Sequence, residues 1–494
     1  MHSGILIPLL CLFSLTKTAT AADRPNIIFF LVDDMGWQET SVPFHTQATE
    51  LNRRYRTPNM EKLAADGVKF TQAYASAVCS PSRISALTGM NVARHGVTNW
   101  TLQRDKGPDG KHPTLTLPEW PLNGFSPSPN VQRTVSATTL PQLLRTAGYR
   151  TIHVGKAHFG AMHTPGENPL SLGFDINIAG HAAGGPGSYS GDKNFSGKWR
   201  GAEKHWDVPG LEAYHGKDVY LTEALTLEAI KAVEQSVGDR KPFYLYMSHY
   251  AVHAPWEKDM RFYQKYIDQG LKPAEATLAS MIEGMDKSLG DLRAALKRLG
   301  IADNTIIVFL SDNGSPSQCP PNLPLRGHKL NPYEGGVRVP MLAYWPGVTA
   351  ASTTNDTPVV IDDIFPTVLD LAGIDWKGKV TQSVDGASLA PEFRQPGSIT
   401  PGRPLVWHFP NNYSGQDPFS ALRSGPWKLI YHHASRKLEL YNLDADISEN
   451  NDLAASEPAR TALLAKLLGK LLRERGALMP TVIKTGQPVP YPGS

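Results

Sequence analysis

Asp33-Asp34 and Asp312-Asn313 set carboxylates, and in the second case an amide oxygen, in two short polar stretches far apart in the chain. Hard oxygen donors of this kind suit Ca2+ or Mg2+ rather than zinc. Either stretch alone reads equally well as a turn, because Asp-Asp and Asp-Asn-Gly are common loop sequences. Cys79 opens the run Cys79-Ser80-Pro81-Ser82-Arg83. Unmodified, its thiol is an ordinary nucleophile; the bland account is a small buried cysteine before a turn. Lys156 and His158 stand in Gly155–Gly160, His253 precedes Ala254-Pro255, and His328-Lys329 follows Arg326-Gly327. Each cluster by itself is explained by a surface lysine or a packed histidine. They matter only if one fold gathers them.

The elements that would do so are legible. Asn26–Val32 is a continuous apolar run, the pattern of a strand covered on both faces. Tyr149–Val154, Phe243–Met247, Thr305–Leu310 and Met341–Trp345 read as further apolar strands. Helices are expected from Pro58, with Thr57 as N-cap and Gly67 as stop, over Leu140–Ala147, and over about Pro273–Leu299. Alternating strands and helices imply an α/β fold with a mostly parallel sheet sandwiched by helices. Polar runs at Asp33-Asp34, 156–158, 249–253 and Asp312-Asn313 each follow a strand directly. Ligands in such folds collect at the carboxyl edge of the sheet, so four loops converge on one site.

Residues 160–215 are rich in Gly, Ser, His and aromatics without a clear period, as in a substrate-facing insertion. After about Pro396 the pattern changes to alternating strands, Trp427–Tyr431 and Leu438–Tyr441, and a helix from Pro458 to about Arg475 with Leu463, Leu464, Leu467 and Leu471 inward. The division expected is a signal peptide over 1–22, a catalytic α/β domain over 23–395, and a smaller α+β subdomain with an antiparallel sheet over 396–494. The apolar run Gly4–Leu15 followed by Ala19-Thr20-Ala21 carries the signal-peptide expectation, and with it a secreted or periplasmic location.

A formal charge of +3 over 494 residues offers no basic footprint for nucleic acid, and no later stretch approaches the length of a membrane span. With Cys11 in the leader, Cys79 and Cys319 are the cysteines left, and if Cys79 is modified Cys319 has no partner, so that burial rather than disulfides must hold the fold.

The cysteine pentapeptide resembles the mark of the formylglycine-dependent sulfatases, within the alkaline phosphatase superfamily. Gly155-Lys156-Ala157-His158-Phe159-Gly160, His253-Ala254-Pro255, Arg326-Gly327-His328-Lys329 and Glu334–Pro340 resemble that family's other elements in family order. His328 stands where many relatives have Gly. The resemblance implies that Cys79 is oxidised to formylglycine by a formylglycine-generating or sulfatase-maturing enzyme, and that its hydrate attacks a sulfate ester. Asp33, Asp34, Asp312, Asn313 and the modified Cys79 would ligate Ca2+. Arg83 would stabilise the nucleophile, Lys156 hold a sulfate oxygen, His253 and Lys329 protonate the leaving oxygen, and His158 take the proton that lets sulfate depart.

A sulfated carbohydrate is the expected substrate, with His328, His215 and His408 as substrate contacts; His408 lies in Trp407-His408-Phe409-Pro410, which resembles a pocket-reaching element of some sugar-acting relatives. The alternatives are a phosphonate or phosphodiester hydrolase of the same superfamily, an arylsulfatase for small aryl sulfates, and a carbohydrate-binding pseudoenzyme. Asn99, Asn194, Asn355 and Asn412 head triplets that would accept glycans in a eukaryote.

Overall fold

The computed structural model describes residues 24–399 and 402–494. The expected signal peptide therefore lies outside the described residues, and among the described residues no helix is long and apolar enough to cross a membrane.

Nine strands form the main sheet: β1 (Asn26–Val32), β2 (Val68–Tyr74), β3 (Arg150–Gly155), β4 (Ile176–Ile178), β5 (Phe243–Ser248), β6 (Thr305–Ser311), β7 (Arg338–Tyr344), β8 (Thr353–Asn355) and β9 (Val359–Val360). Their order is β9-β2-β7-β6-β1-β5-β3-β4, with β8 also on β2. All pairings are parallel except those of β7, which runs against both β2 and β6. This reversal has a use. An antiparallel strand presents its amino end at the edge where its neighbours end, so the long connection from β6 to β7 both leaves and returns at the edge reached by the loops after β1, β3 and β5.

The run in β1 is continuous because each face of the sheet has its own core. Ile27, Phe29 and Leu31 enter one, and Ile28, Phe30 and Val32 the other. Helices α1 (Pro58–Asp66), α4 (Leu221–Gly238) and α5 (Pro273–Arg298) cover the second; α2 (Cys79–Thr88), α3 (Leu140–Thr146) and α6 (Ile364–Leu371) cover the first. Truncating one such side chain, as in Phe30→Ala, costs about 3–5 kcal/mol.

Two local expectations are corrected. Thr57 makes no capping bond to α1; its hydroxyl pairs with Thr40 and Ser41. The free N–H groups of Asn59 and Met60 donate instead to the Asp286 carboxylate of α5, which ties two helices of one layer together. In the C-terminal helix α7 (Pro458–Glu474), Leu463 is 66% exposed, and the inward stripe is Leu464, Leu468 and Leu472. A one-residue offset turns the apolar face by a full helical step.

Helix α7 packs on a four-stranded antiparallel sheet, β10 (Leu405–Phe409), β11 (Phe419–Ser424), β12 (Trp427–His432) and β13 (Leu438–Asn442). One face of this sheet meets α7 through Val406, Leu422, Leu429 and Leu440. The other merges with the main core through Trp407, Ala421, Ile430 and Tyr441. The Trp407 indole donates to the Ala75 carbonyl at 2.8 Å, fixing β10 to the segment that leads into α2.

Candidate active site

Five chain segments bring side chains to the carboxyl edge of the main sheet. Cys79 is the first residue of α2, all ten residues of which are buried. Val78 ahead of it is extended and no side chain caps the helix, so the first-turn N–H groups face the space where Cys79 sits. Arg83, one turn on, is fully buried beneath it. Its guanidinium donates through Nε and a terminal nitrogen to Asp312 at 2.9 and 2.7 Å, and through the other to the Lys156 carbonyl at 3.0 Å and the Ser248 hydroxyl at 2.6 Å. One side chain thus joins the ends of β3, β5 and β6.

Asp33 accepts from the Lys156 ammonium at 2.6 Å, and Asp34 from the Lys329 ammonium at 2.5 Å and the Asn313 amide at 2.7 Å. Lys329 also stands 3.8 Å from the Cys79 sulfur. Its loop is anchored on both sides: the Lys329 N–H donates to Ser315 and the Leu330 N–H to Ala77, both at 2.8 Å. The paired glycines before β7 are needed here. A Cβ on Gly335 or Gly336 would collide with the backbone of the same loop.

The histidines have defined tautomers by their partners. His158 faces the Thr101 carbonyl through Nε2 at 2.8 Å, so Nε2 carries hydrogen and Nδ1, which has no partner, is an open acceptor. Its backbone lies in the left-handed region, φ 56°, and so does that of Asp34, φ 63°. Non-glycine residues held there are over-determined by their surroundings. His253 faces the Ala254 carbonyl through Nδ1 at 2.7 Å, leaving Nε2 3.8 Å from Asp34. Burial pushes His253 down to about 4 and His158 well below the usual imidazole range, the latter helped by Lys156 and Arg83. Both rings are neutral bases at pH 7.

The cluster fits a hard cation. Asp33, Cys79 and Asp312 offer ligand atoms within 4.8 Å of one another. Asp33 Oδ1 and Asn313 Oδ1 are buried without a hydrogen-bond partner. Burial, then the neighbouring Asp312, push the Asp33 carboxyl well above its ordinary range in spite of Lys156. Added positive charge would relieve that cost. Burial likewise pushes the Cys79 thiol up, against Lys156 and Lys329, which makes the unmodified thiol a weak nucleophile.

Asp34, His253, His328 and Lys329 line a pocket of about 340 Å3 that opens this cluster to solvent. Of the three histidines expected to touch substrate, His328 alone is placed on that lining, with Nδ1 2.8 Å from the Lys329 carbonyl. His408 is buried, with Nδ1 on Ser420 at 2.9 Å and Nε2 on the Leu478 carbonyl at 3.0 Å. It is part of the C-terminal packing. His215 stays inside the 160–215 insertion, its ring edge-on to Phe195. His249 is buried against Ser288 at 2.8 Å. Sequence reasoning did not find Trp256, Gln318, Tyr413, Ser414 and Gln416, which complete the pocket wall. The last three come from the β10–β11 connection; the Asn412-Tyr413-Ser414 triplet was the one signal there.

Residues 25–374 match the sulfatase family model, and residues 328–477 the C-terminal model of N-sulphoglucosamine sulphohydrolase. A sulfatase of Formosa agariphila is 29% identical over 99% of this chain and 96% of its own. The N-acetylgalactosamine-6-sulfatase of Mus musculus is 31% identical over 76% of this chain and 67% of that protein. Among solved structures, Ps i-CgsB in complex with k-i-k-neocarrahexaose is 27% identical with a TM-score of 0.71, over 92% of this chain and 93% of that one. A family match spanning most of the chain shows what the protein is: it belongs to the sulfatase family and is a sulfuric-ester hydrolase.

Proposed function

We propose that the enzyme removes sulfate from a sulfated carbohydrate after Cys79 has been oxidised to formylglycine by a maturing enzyme. The observation that carries this reading is the convergence on Cys79 of Arg83, Lys156, His158, His253 and Lys329 beside an acidic cluster with unfilled acceptors. The relatives named above support the sugar: one acts on N-acetylgalactosamine 6-sulfate, and another binds a carrageenan hexasaccharide.

Asp33, Asp34, Asp312 and Asn313 would hold Ca2+, which supplies Lewis-acid polarisation of the sulfate oxygens when bound. The formylglycine hydrate supplies a second hydroxyl, so that the sulfated enzyme can shed sulfate by elimination rather than by attack of water at sulfur. The chain's own groups do the rest. Arg83, immobilised by four hydrogen bonds, keeps a fixed positive charge under the nucleophile. Lys156 and Lys329 bring two more charges to where a tetrahedral oxyanion would sit. Lys329, which also lines the pocket, is placed to protonate the leaving oxygen, with Nε2 of His253 as its neighbour across Asp34. His158 offers the free Nδ1 as the base that accepts the last proton.

A location outside the cytoplasm, through the leader over 1–22, belongs to the same proposal, since it gives access to polymeric substrates. The test has two parts. The mass of the Cys79 peptide should be that of the aldehyde, and the purified enzyme should release sulfate from a sulfated saccharide far faster than phosphate from the phosphate ester of the same sugar. An intact thiol in fully active enzyme, or preference for the phosphate, would reject it.

A further inference from the structure

Two of the large apolar side chains left exposed among the described residues, Trp256 at 37% and Leu323 at 63%, border one cleft. Its volume is about 650 Å3, within the range of small-molecule sites. It adjoins the catalytic pocket, since Trp256 and Gln318 line both. The far wall is built by Ala274 and Leu278 at the start of α5. An exposed apolar surface of this kind, rimmed by polar groups, is a recognition surface.

Trp256 is held in place. Its indole N–H donates to the Val252 carbonyl at 3.1 Å, and it follows His253 by three residues. The ring is therefore fixed relative to the reacting group, as a stacking platform must be. The charge of the cleft sets what can lie on it. Arg54 is the one Lys or Arg on its lining, and it is already paired with Glu50 at 2.7 Å and Glu275 at 3.0 Å. A sulfate placed here would meet no free cation and two carboxylates, whereas a neutral pyranose would set its C–H face on the indole at no such cost.

We propose that this cleft binds the uncharged sugar residue next to the sulfated one, with Trp256 as its platform, so that the enzyme is built for chains of two or more sugars. The inference rests on the carbohydrate reading above and deepens it. Two probe pairs test it: N-acetylgalactosamine 6-sulfate and a galactose sulfate, each compared with the disaccharide that joins it to one uncharged sugar.

For the pair that is turned over, the wild type should prefer the longer member by about tenfold in kcat/KM, which corresponds to about 1.4 kcal/mol. Ala274→Trp, an exposed position on the far wall, fills the cleft and should abolish that preference. Trp256→Ala should reduce it through KM rather than kcat. Equal efficiency on short and long members in the wild type, or a preference that survives Ala274→Trp, overturns the proposal while leaving the carbohydrate reading intact. Sulfate released from a small aryl sulfate but from no saccharide rejects the carbohydrate reading, and the cleft assignment with it.

Discussion

Two buried clusters of opposed charge stand among the described residues, and only one of them lies at the proposed site. At the sheet edge, Asp33, Asp34 and Asp312 face Arg83, Lys156 and Lys329. Between the main domain and the C-terminal sheet, Glu334 and Glu449 face Lys428 and Arg338. Formal charge balances in both, and nearly every member is fully buried. The difference lies in where the unpartnered oxygens stand and in access: Glu449 Oε1 also lacks a hydrogen bond, but it lies 3.0 Å from the Lys428 ammonium. Glu334 is saturated by Tyr74 at 2.7 Å, Lys428 at 2.9 Å and Arg338 at 3.2 Å. Asp33 and Asn313 each keep a bare oxygen, and Asp34 and Lys329 open onto a pocket. Buried charge alone is weak evidence for catalysis, since ion pairs that hold a fold perturb their neighbours just as strongly.

The comparison can be broken from either side. Cys79→Ser should cut turnover by at least ~1,000-fold, about 4 kcal/mol of barrier, while leaving the unfolding midpoint close to that of wild type. Multiple turnover near the wild-type rate would remove the open cluster from the chemistry. Lys428→Met should do the reverse. It leaves Glu334 and Glu449 buried without their shared cation, a change expected to cost about 3–5 kcal/mol of stability. The kcat/KM of the folded fraction should hold. Denaturant unfolding and active-site-normalised rates decide this; intact stability with lost activity would make the closed cluster part of the site after all.

Calcium should separate the clusters further. At about 100 times its dissociation constant a ligand of the native state adds about 2.7 kcal/mol of stability. Thermal melts of the wild type and of Glu449→Gln should both rise when calcium is added after chelation. Asp33→Asn should gain little. An equal gain in all three would place the ion elsewhere.

How far the sequence reaches follows from what kind of pattern each element leaves. β1, β5 and β6 were legible because both faces are buried, which writes an unbroken apolar run. β2 was not, because Val68-Lys69-Phe70-Thr71 is only half-buried and leaves no unbroken apolar run. β7 was placed a few residues late, and its reversed direction leaves no mark in composition. Lys156, His158 and His253 reach the cluster from the strand ends that their apolar runs imply, whereas Cys79, Arg83 and Lys329 follow no strand that the sequence marked. His408 shows the opposite case. Period two says that it and Trp407 lie on opposite faces of β10, but only the assembled sheet decides which face meets Ala75 and which meets Ser420. Tyr413, Ser414 and Gln416 reach the pocket because the C-terminal sheet packs on the main core, which no local pattern records.

The smallest expected effect is the dependence of the closed cluster on pH. Burial, only partly offset by Lys428, raises the Glu449 carboxyl from its ordinary 4.5 to about 7. The folded state therefore keeps a proton that the unfolded chain releases near its ordinary value. In that window the native form binds more protons, so the contribution of Glu449 to stability is present below about 4.5 and is lost as pH rises toward 7. Glu449→Gln cannot ionise and suffers no such loss. The difference in melting temperature, variant minus wild type, should grow from pH 5 to pH 8. A flat difference would mean that Glu449 is ionised throughout, with Lys428 compensating both carboxylates, and the closed cluster would then differ from the open one in access alone.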